Sequence, residues 1–412
     1  MGNNAQELAD SNFLIIWPKA SASFGVTLAS FLKQHRRTRT ASLTIIYHPT
    51  HRDTGTLPRE TEFAFYSGNN APTGKVLRRE SYTPILTPII DGILTLLFLA
   101  KTGRRHHMCI TAGLNLGLLV VLLRGLGVVK KTTFVVMDYW PKRYPSGILS
   151  WLYRHVYSLC STNVDFVLDV SPTINDARIQ DGIFVNSEKL LYAPHPIDPI
   201  TIGHLPQQEL EPDSLIWTGA FTPECGFELV IDAVELVAKE RPAVIVNITS
   251  YEPFPKDLWE TIQKRGLASH FRMLGYIKDE AEFQKAVRKR RAGLAPYVYT
   301  EGETTVKSFA GVGRPWTYMA NGVPPIITRA PHDSLEIEQA KAGIIIKYTK
   351  DDLTRAILTL LSDDKAHQVY RQRGLELVKS RGFGPVFMKL LGDLGLSPDT
   401  PEEIGTTGLK DK

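Results

Sequence analysis

Cysteine is scarce in this chain of 412 residues, with only Cys109, Cys160 and Cys225, which lie far apart. Their number and spacing predict neither a disulfide framework nor a metal site, and they suit a reducing compartment. No stretch reaches about 20 apolar residues, so no membrane-spanning helix is expected. Residues 1–11 are polar and lack the apolar core of a signal peptide. We therefore expect a cytoplasmic protein.

An excess of charge of one sign is also missing. Lysine and arginine total 48 against 43 acidic residues, a net charge of +5, which is too small to indicate nucleic-acid binding. The surplus is uneven, because residues 1–205 hold 21 basic and 14 acidic side chains, net +7. The first half is thus better suited to an anionic surface. The content of 43% hydrophobic residues excludes a wholly disordered chain.

Strand-like runs alternate with helical patterns along the chain. Five prolines between positions 194 and 212 interrupt this alternation and indicate a linker. Alternation predicts parallel sheets covered by helices on both faces, and the interruption predicts two such domains. We predict an α/β protein with two doubly wound, Rossmann-like domains, 12–198 and 199–380, facing each other across a cleft. The strand-like runs are 13–17, 43–47, 108–110, 133–137, 166–170 and 190–193 in the first domain, and 215–219, 244–248, 271–274, 293–297, 325–328 and 343–346 in the second.

Four stretches carry a family resemblance. Residues 215–226 read LIWTGAFTPECG, a strand, a glycine turn and the approach to a helix. Residues 274–297 combine a strand ending in glycine, a short helix and a strand that ends near a proline. Residues 314–328 read RPWTYMANGVPPIIT, and the linker contains PHPID at 194–198. In this order and spacing, the stretches resemble the C-terminal half of GT-B glycosyltransferases, most closely glycosyltransferase family 4.

The resemblance covers residues 190–375 by motif and residues 12–189 by topology alone. It implies an acceptor-binding first domain, a second domain that binds a nucleotide-sugar, and a C-terminal helix at 384–396 that packs back on the first domain. It also implies a hexosyltransferase that retains anomeric configuration and needs no metal cofactor, which agrees with the absence of an Asp-x-Asp motif. A UDP-sugar is the first choice of donor and a GDP-sugar the second.

Two positions depart from the family pattern. Thr317 stands where the family places a glutamate, and Glu224 and Cys225 stand where a basic residue helps to bind the diphosphate. These departures keep two alternatives open. One is a nucleotide-sugar 2-epimerase of the same fold, and the other is a non-catalytic glycosyltransferase-like partner protein.

Two basic residues are candidates for binding the donor diphosphate. Arg314 begins a predicted helix, and a planar guanidinium matches phosphate oxygens in a bidentate manner. Lys307 lies seven residues earlier in a glycine-rich loop. The alternative for Arg314 is a solvated surface arginine.

Four further residues are candidates for the donor site. Gly219 lies in a strand-to-helix turn, where glycine permits close approach of the backbone to a ligand. Glu301 and Glu303 follow the end of a strand and can bind sugar or ribose hydroxyls, or simply form an acidic surface loop. Tyr276 follows the strand that in the family lies near the nucleobase; the alternative is a packed surface tyrosine.

The first domain offers three candidates for the acceptor side. Asp138 ends an apolar strand, and a carboxylate there can orient or deprotonate the acceptor hydroxyl, or merely cap a turn. Gly25 lies in the first strand-to-helix turn as a candidate phosphate-loop residue. His48 and His51 follow another strand, and without a third ligand we interpret them as loop or acceptor contacts rather than a metal site.

Two predicted helices, 87–100 and 114–129, are apolar nearly all round and end in basic residues. Helices of this kind are usually buried. The alternative is that one of them lies in a lipid interface with its basic flank on anionic headgroups. That alternative would make the protein peripheral to the inner face of a membrane, with a lipid-linked or glycan acceptor.

Overall fold

The computed structural model describes residues 12–19, 24–36, 42–49, 60–67, 73–78, 86–141, 144 and 147–396. His51 of the predicted histidine pair lies outside these residues. In the part of the chain that is described, no helix is long and apolar enough to cross a membrane.

The first domain is built on an eight-stranded sheet with the order β4-β3-β2-β1-β5-β6-β7-β8. Its strands are β1 (Phe13–Lys19), β2 (Leu43–Pro49), β3 (Glu60–Tyr66), β4 (Thr73–Arg78), β5 (His106–Ala112), β6 (Val129–Val136), β7 (Phe166–Asp169) and β8 (Leu190–Tyr192). β2 to β3 and β3 to β4 pair antiparallel, and the other neighbours pair parallel. The alternation of strand and helix predicted the parallel part and missed the antiparallel pair at the edge.

Among its described residues, the first domain has five α-helices. They are α1 (Phe24–Arg36), α2 (Thr87–Thr102), α3 (Leu114–Gly125), α4 (Ile148–Asn163) and α5 (Thr173–Gln180). The predicted helix 114–129 was too long, because α3 ends at Gly125 and Val129 already begins β6. A glycine with positive φ at position 127 turns the chain between the two elements.

The second sheet has six strands, all parallel, in the order β11-β10-β9-β12-β13-β14. They are β9 (Ser214–Thr218), β10 (Ile245–Thr249), β11 (Phe271–Gly275), β12 (Ala292–Ala295), β13 (Pro325–Thr328) and β14 (Ile344–Ile346). The predicted boundary at 198/199 falls in the connection between β8 and β9.

Among the described residues, eight α-helices come after β9 in the chain. They are α6 (Phe227–Glu240), α7 (Lys256–Lys264), α8 (Glu280–Arg288), α9 (Arg314–Ala320), α10 (Asp333–Gln339), α11 (Lys350–Ser362), α12 (Asp364–Lys379) and α13 (Phe383–Asp393). α13 returns to the first domain, where the ring of Phe387 lies 5.6 Å from that of Phe24 and 5.1 Å from that of Phe31. The chain thus crosses between the domains twice, once in the linker and once before α13.

Close packing explains Gly25, which lies inside the first turn of α1. A Cβ atom at this position would meet the ring of Trp17 at 2.1 Å. The absence of a side chain therefore lets α1 pack directly on β1. The prediction that Gly25 serves a phosphate loop has no support from its position, because the buried indole of Trp17 fills the space beside it.

Candidate active site

The carboxyl ends of the second-domain strands form one edge of the candidate site. Gly219 follows β9 with φ at +89°, and its N–H donates to the carbonyl of Thr249 at the end of β10 over 3.0 Å. The hydroxyl of Thr249 donates in turn to the carbonyl of Gly275 at the end of β11. Tyr276 comes next and is half-buried. The strand order therefore places Gly219 and Tyr276 along the same edge, two strands apart.

Arg314 lies beside the Gly219 turn. Its guanidinium carbon is 3.9 Å from the ring centroid of Trp217, and its Nη2 donates to the carbonyl of Ala220 over 3.2 Å. Its Nη1 is buried and has no hydrogen-bond partner among the described residues. A guanidinium stays charged at any physiological pH, and a buried donor on it without a partner is costly. This nitrogen is accordingly set up to bind an anion.

Lys307 and Arg314 lie near the same aromatic ring. The Nζ of Lys307 is 5.8 Å from the ring centroid of Tyr297, and the guanidinium carbon of Arg314 is 5.5 Å from it. Burial raises the pKa of the Tyr297 phenol above its ordinary value of 10. Tyr297 therefore stays neutral at physiological pH and packs against two cations without neutralising either.

The two positions that depart from the family pattern are used for local structure. Cys225 is buried, and its thiol lies 3.3 Å from the hydroxyl of Thr222. Thr317 donates its hydroxyl to the carbonyl of Gly313 one turn earlier in α9. Next to Cys225, a Cβ on Gly226 would meet the carbonyl oxygen of Pro296 at 2.0 Å. This close approach fixes the start of α6 against the end of β12.

A bridging loop (residues 306–313) connects the donor side to the first domain. It contains the short 3-10 helix Val306–Phe309, and the ring of Phe309 is part of the first-domain core. The hydroxyl of Thr173, in α5, donates to the carbonyl of Ser308 over 2.7 Å. A Cβ on Gly311 would meet Val170 at 2.8 Å, so this contact also depends on a glycine.

Asp138 lies where the bridging loop meets the first sheet. Its backbone pairs with Ala310, and the N–H of Gly311 is 3.5 Å from the carbonyl oxygen of Met137. The Asp138 carboxylate is exposed and makes no hydrogen bond or ion pair with the described residues. The bridging loop therefore links Asp138 directly to the segment that carries Lys307 and leads into Arg314.

Asp333, at the start of α10, holds the other end of the bridging loop. Its carboxylate accepts from the N–H of Val312 over 3.2 Å, from the indole Nε1 of Trp316 over 2.8 Å and from the Nη1 of Arg381 over 2.8 Å. The guanidinium of Arg381 stacks on the ring of Trp316 at 3.5 Å. The backbone carbonyl of Arg381 also accepts from the N–H of Ile197 in the linker. Both interdomain crossings are thus tied to the bridging loop.

The loop that precedes Lys307 carries Glu301 and Glu303. Both are exposed, and the turn between them has φ at +84° at Gly302. They lie close to the candidate site in sequence, and their role in binding hydroxyls stays a prediction.

His48 does not lie in a loop, and that part of the prediction was wrong. The strand β2 extends through Pro49, and the His48 ring is only 1% exposed. Its Nε2 is 2.8 Å from the hydroxyl of Thr95, and its Nδ1 is 3.3 Å from the carboxylate of Asp91. The ring belongs to a buried polar cluster beneath α2, so it is not available to an acceptor in this structure.

Several residues of the site were not predicted from the sequence. Trp217 lies in β9 and Tyr297 follows β12 by two residues, and both strands were recognised. Nothing in a single sequence indicates which of their residues face Arg314. Asp333 looks like an ordinary helix-start aspartate, and its partners lie 17 to 48 residues away along the chain. Glycines 311 and 313 form the one visible signal, since paired glycines before a helix indicate close backbone packing.

Metal binding has no support from side-chain clusters. Among the described residues, no group of three or more His, Cys, Asp or Glu side chains could hold a metal ion. Catalysis without a metal therefore stays a prediction from the family resemblance.

Solved structures share this arrangement of two domains. Sucrose-phosphate synthase from Thermosynechococcus elongatus superposes with a TM-score of 0.68 at 13% identity, covering 93% of this chain and 98% of that chain. HepE from Anabaena, solved with UDP and glucose, gives 0.65 at 12% identity, covering 93% and 99%. The chain has the GT-B fold. At these identities the likeness establishes the GT-B fold alone, as the sequence predicted.

TarM of S. aureus is a further GT-B neighbour, with a TM-score of 0.59 at 15% identity. The alignment covers 82% of this chain and spans only 66% of TarM. Residues 212–363 match the family model of group 1 glycosyl transferases. No curated protein sequence matches the chain. The match confirms the predicted resemblance for the second GT-B domain, which contains Gly219 and Arg314.

The anchoring role of Asp333 predicts the effect of Asp333→Asn. The Asp333 and Arg381 side chains are 6% and 4% exposed, and the substitution leaves the buried guanidinium with the half-buried Glu336, 2.6 Å from its Nη2, as its remaining counter-ion. Because Glu336 still pairs with Arg381, the cost should be that of weakened charge-assisted hydrogen bonds, about 1.5–3 kcal/mol, which should lower the melting temperature by roughly 3–12 °C. The matched control is Glu376→Gln in the exposed Lys379–Glu376 pair, which should cost less than about 1 kcal/mol. Similar melting temperatures for the two variants would show that Asp333 anchors nothing.

Proposed function

We propose that this protein is a glycosyltransferase that moves a sugar from a nucleotide-sugar to an acceptor hydroxyl. The second domain binds the donor and the first domain binds the acceptor. The observation that carries this proposal is the buried, unpartnered Nη1 of Arg314 beside the Gly219 turn. A nucleoside diphosphate supplies the anion that this nitrogen lacks, and the match to group 1 glycosyl transferases covers the same segment.

The donor side must stabilise charge that develops on the diphosphate. As the bond between the anomeric carbon and the β-phosphate oxygen breaks, the diphosphate leaves with the bonding electrons. Cations and N–H groups held in place before the reaction meet this need without reorganisation. Arg314 is fixed by Trp217 and Ala220, and the Nζ of Lys307 lies 5.8 Å from the ring centroid of Tyr297. Gly219 leaves room for the diphosphate to approach the backbone.

The nucleotide is proposed to be uridine diphosphate, with guanosine diphosphate as the second choice. HepE was solved with UDP and glucose, which supports uridine as the first nucleotide to test. Tyr276, two strands from Gly219 along the same edge, is the proposed contact for the base. Glu301 and Glu303 are the proposed contacts for ribose or sugar hydroxyls. They would take over from the family's glutamate, whose position Thr317 occupies in this chain.

The acceptor side is proposed to centre on Asp138. In the transfer step, the acceptor oxygen bonds to the anomeric carbon and releases its proton. If configuration is retained, as the family resemblance implies, the leaving phosphate takes that proton and Asp138 orients the hydroxyl. If configuration is inverted, the Asp138 carboxylate takes the proton as general base. The anomeric configuration of the product, read by NMR, decides between these roles.

A nucleotide-sugar 2-epimerase would use the same donor site without a separate acceptor. Incubation with donor alone separates the two activities, because an epimerase converts the sugar and a transferase does not.

We also propose that the protein works in the cytoplasm, on the inner face of a membrane, since apolar helix faces of the first domain point outward.

The donor role predicts the effect of Arg314→Ala. Loss of a charge-assisted phosphate contact should cost roughly 1.5–3 kcal/mol of diphosphate binding. Binding of the bare nucleoside should change much less, because it lacks the phosphates. Calorimetry with uridine diphosphate and with uridine measures both. Arg355→Ala, at an exposed arginine on α11, is the matched control and should leave both affinities unchanged. Equal losses for the two ligands in Arg314→Ala would place the guanidinium away from the phosphates.

The acceptor role predicts the effect of Asp138→Asn. The substitution keeps the shape and removes the charge, so turnover should fall by about 10²–10⁴. Diphosphate affinity should stay the same, because the second domain carries the nucleotide. Glu188→Gln, an exposed carboxylate at the amino end of β8, is the matched control. Turnover, diphosphate affinity and melting temperature are measured on one preparation. Normal turnover with a lower melting temperature would reduce Asp138 to a turn residue.

A further inference from the structure

The helix α2 has mostly polar residues on its buried face and large apolar residues on its exposed face. Its buried positions are Thr87, Asp91, Thr95 and Leu99, three of them polar, and Asp91 and Thr95 contact the ring of His48. Its outward positions are apolar at helical spacing. They are Leu86, Ile89, Ile90, Ile93 and Leu97. A surface helix in water shows the opposite arrangement, so the outward face of α2 suits an apolar surrounding.

The first half of α4 repeats this feature. Ile148 is 80% exposed, and Leu149, Trp151 and Leu152 are each about half exposed or more. The opposite face of the helix is anchored in the core by Tyr157, whose ring packs edge-on against Phe134. A fixed helix therefore presents four large apolar side chains within its first five residues.

These two faces lie on one side of the first domain. α2 contacts α3, and α3 contacts α4. Each helix runs back from the carboxyl edge of the parallel strands, so the first halves of α2 and α4 lie toward that edge. Asp138 follows the end of β6 by two residues at the same edge, and Trp140, which is also exposed, comes two residues later. We define the apolar face by ten exposed side chains, namely Leu86, Ile89, Ile90, Ile93, Leu97, Trp140, Ile148, Leu149, Trp151 and Leu152.

The sequence from α2 to α4 has a strong excess of positive charge. Between positions 92 and 164 the sequence has nine basic residues and a single acidic one, Asp138. Arg104 belongs to this set, as does Arg154, two residues after Leu152 in α4. Arg124 belongs to it as well and pairs with Asp165. Such a combination of large apolar side chains, tryptophan and cationic flanks matches the interface of an anionic bilayer, where apolar groups enter the lipid and cations meet the headgroups.

We propose that the apolar face binds the surface of an anionic phospholipid bilayer and that the acceptor is a lipid of that bilayer, whose hydroxyl reaches Asp138. The identification of the acceptor rests on the function proposed above, whereas the binding of lipid does not. The helix α2 has 16 residues and is about 24 Å long, short of a hydrocarbon core of about 30 Å. The face therefore lies in the interface and does not span the membrane.

The test is flotation of the full chain with vesicles. Phosphatidylcholine vesicles are compared with vesicles that also contain phosphatidylglycerol, at low salt and at about 0.15 M, where charges are screened beyond about 8 Å. The inference predicts binding to the anionic vesicles that weakens as salt rises. The double variant Leu97→Gln/Leu149→Gln should bind these vesicles at least about tenfold more weakly.

The matched control is Leu335→Gln/Val369→Gln, which removes two exposed apolar side chains from the second domain. It should bind vesicles like the unaltered protein. Equal loss in both double variants would overturn the apolar face as the binding surface. Absence of binding to either vesicle at low salt would overturn the inference, as would a stable dimer in gel filtration that does not float with lipid.

Calorimetry with uridine diphosphate on the same preparations separates this inference from the proposed function. Both double variants should bind the nucleotide like the unaltered protein, because the substitutions avoid the donor site. Vesicle binding without nucleotide binding would support the apolar face and contradict the transferase. Nucleotide binding without vesicle binding would support the transferase and contradict the apolar face as a lipid-binding surface.

Discussion

The carboxylate of Asp333 joins the donor side and the acceptor side of the candidate site. It accepts hydrogen bonds from the end of the bridging loop, from the indole of Trp316 in α9 and from Arg381 at the second interdomain crossing. A buried carboxylate is stable only when its lone pairs are satisfied in this way. Through it, the loop that meets Asp138 on the first domain is fixed to the helix that begins with Arg314. Donor and acceptor sides thus share one anchored segment.

The fold could be predicted because it depends on a pattern that local sequence carries. Apolar strands, helical spacing and a proline-rich interruption indicate two doubly wound domains, and the GT-B fold confirms them. The antiparallel strands β3 and β4 were missed, because the alternation of strand and helix breaks there without a clear marker. The anchoring by Asp333 could not be predicted, since it joins residues that are distant in the chain and individually ordinary.

Part of the candidate site could likewise be predicted from the sequence, and part could not. Gly219, Lys307 and Arg314 were identified from motif position, and the structure brings them around Trp217 and Tyr297. His48 was misplaced, because the strand runs two residues further than its apolar core and turns the ring beneath α2. That buried ring also explains why α2 keeps its polar residues inside. An apolar helix was visible in the sequence, but which of its faces points outward depends on this tertiary contact.

The central claim is that the second domain binds a nucleoside diphosphate through Arg314. Thermal unfolding with uridine, guanosine and adenosine diphosphates tests it most directly. We predict stabilisation by uridine diphosphate of about 2.7 kcal/mol at 100 times its dissociation constant, with a smaller effect from uridine at the same concentration. If none of the three diphosphates raises the melting temperature at any concentration, the guanidinium does not bind the donor and the second domain is not a donor site.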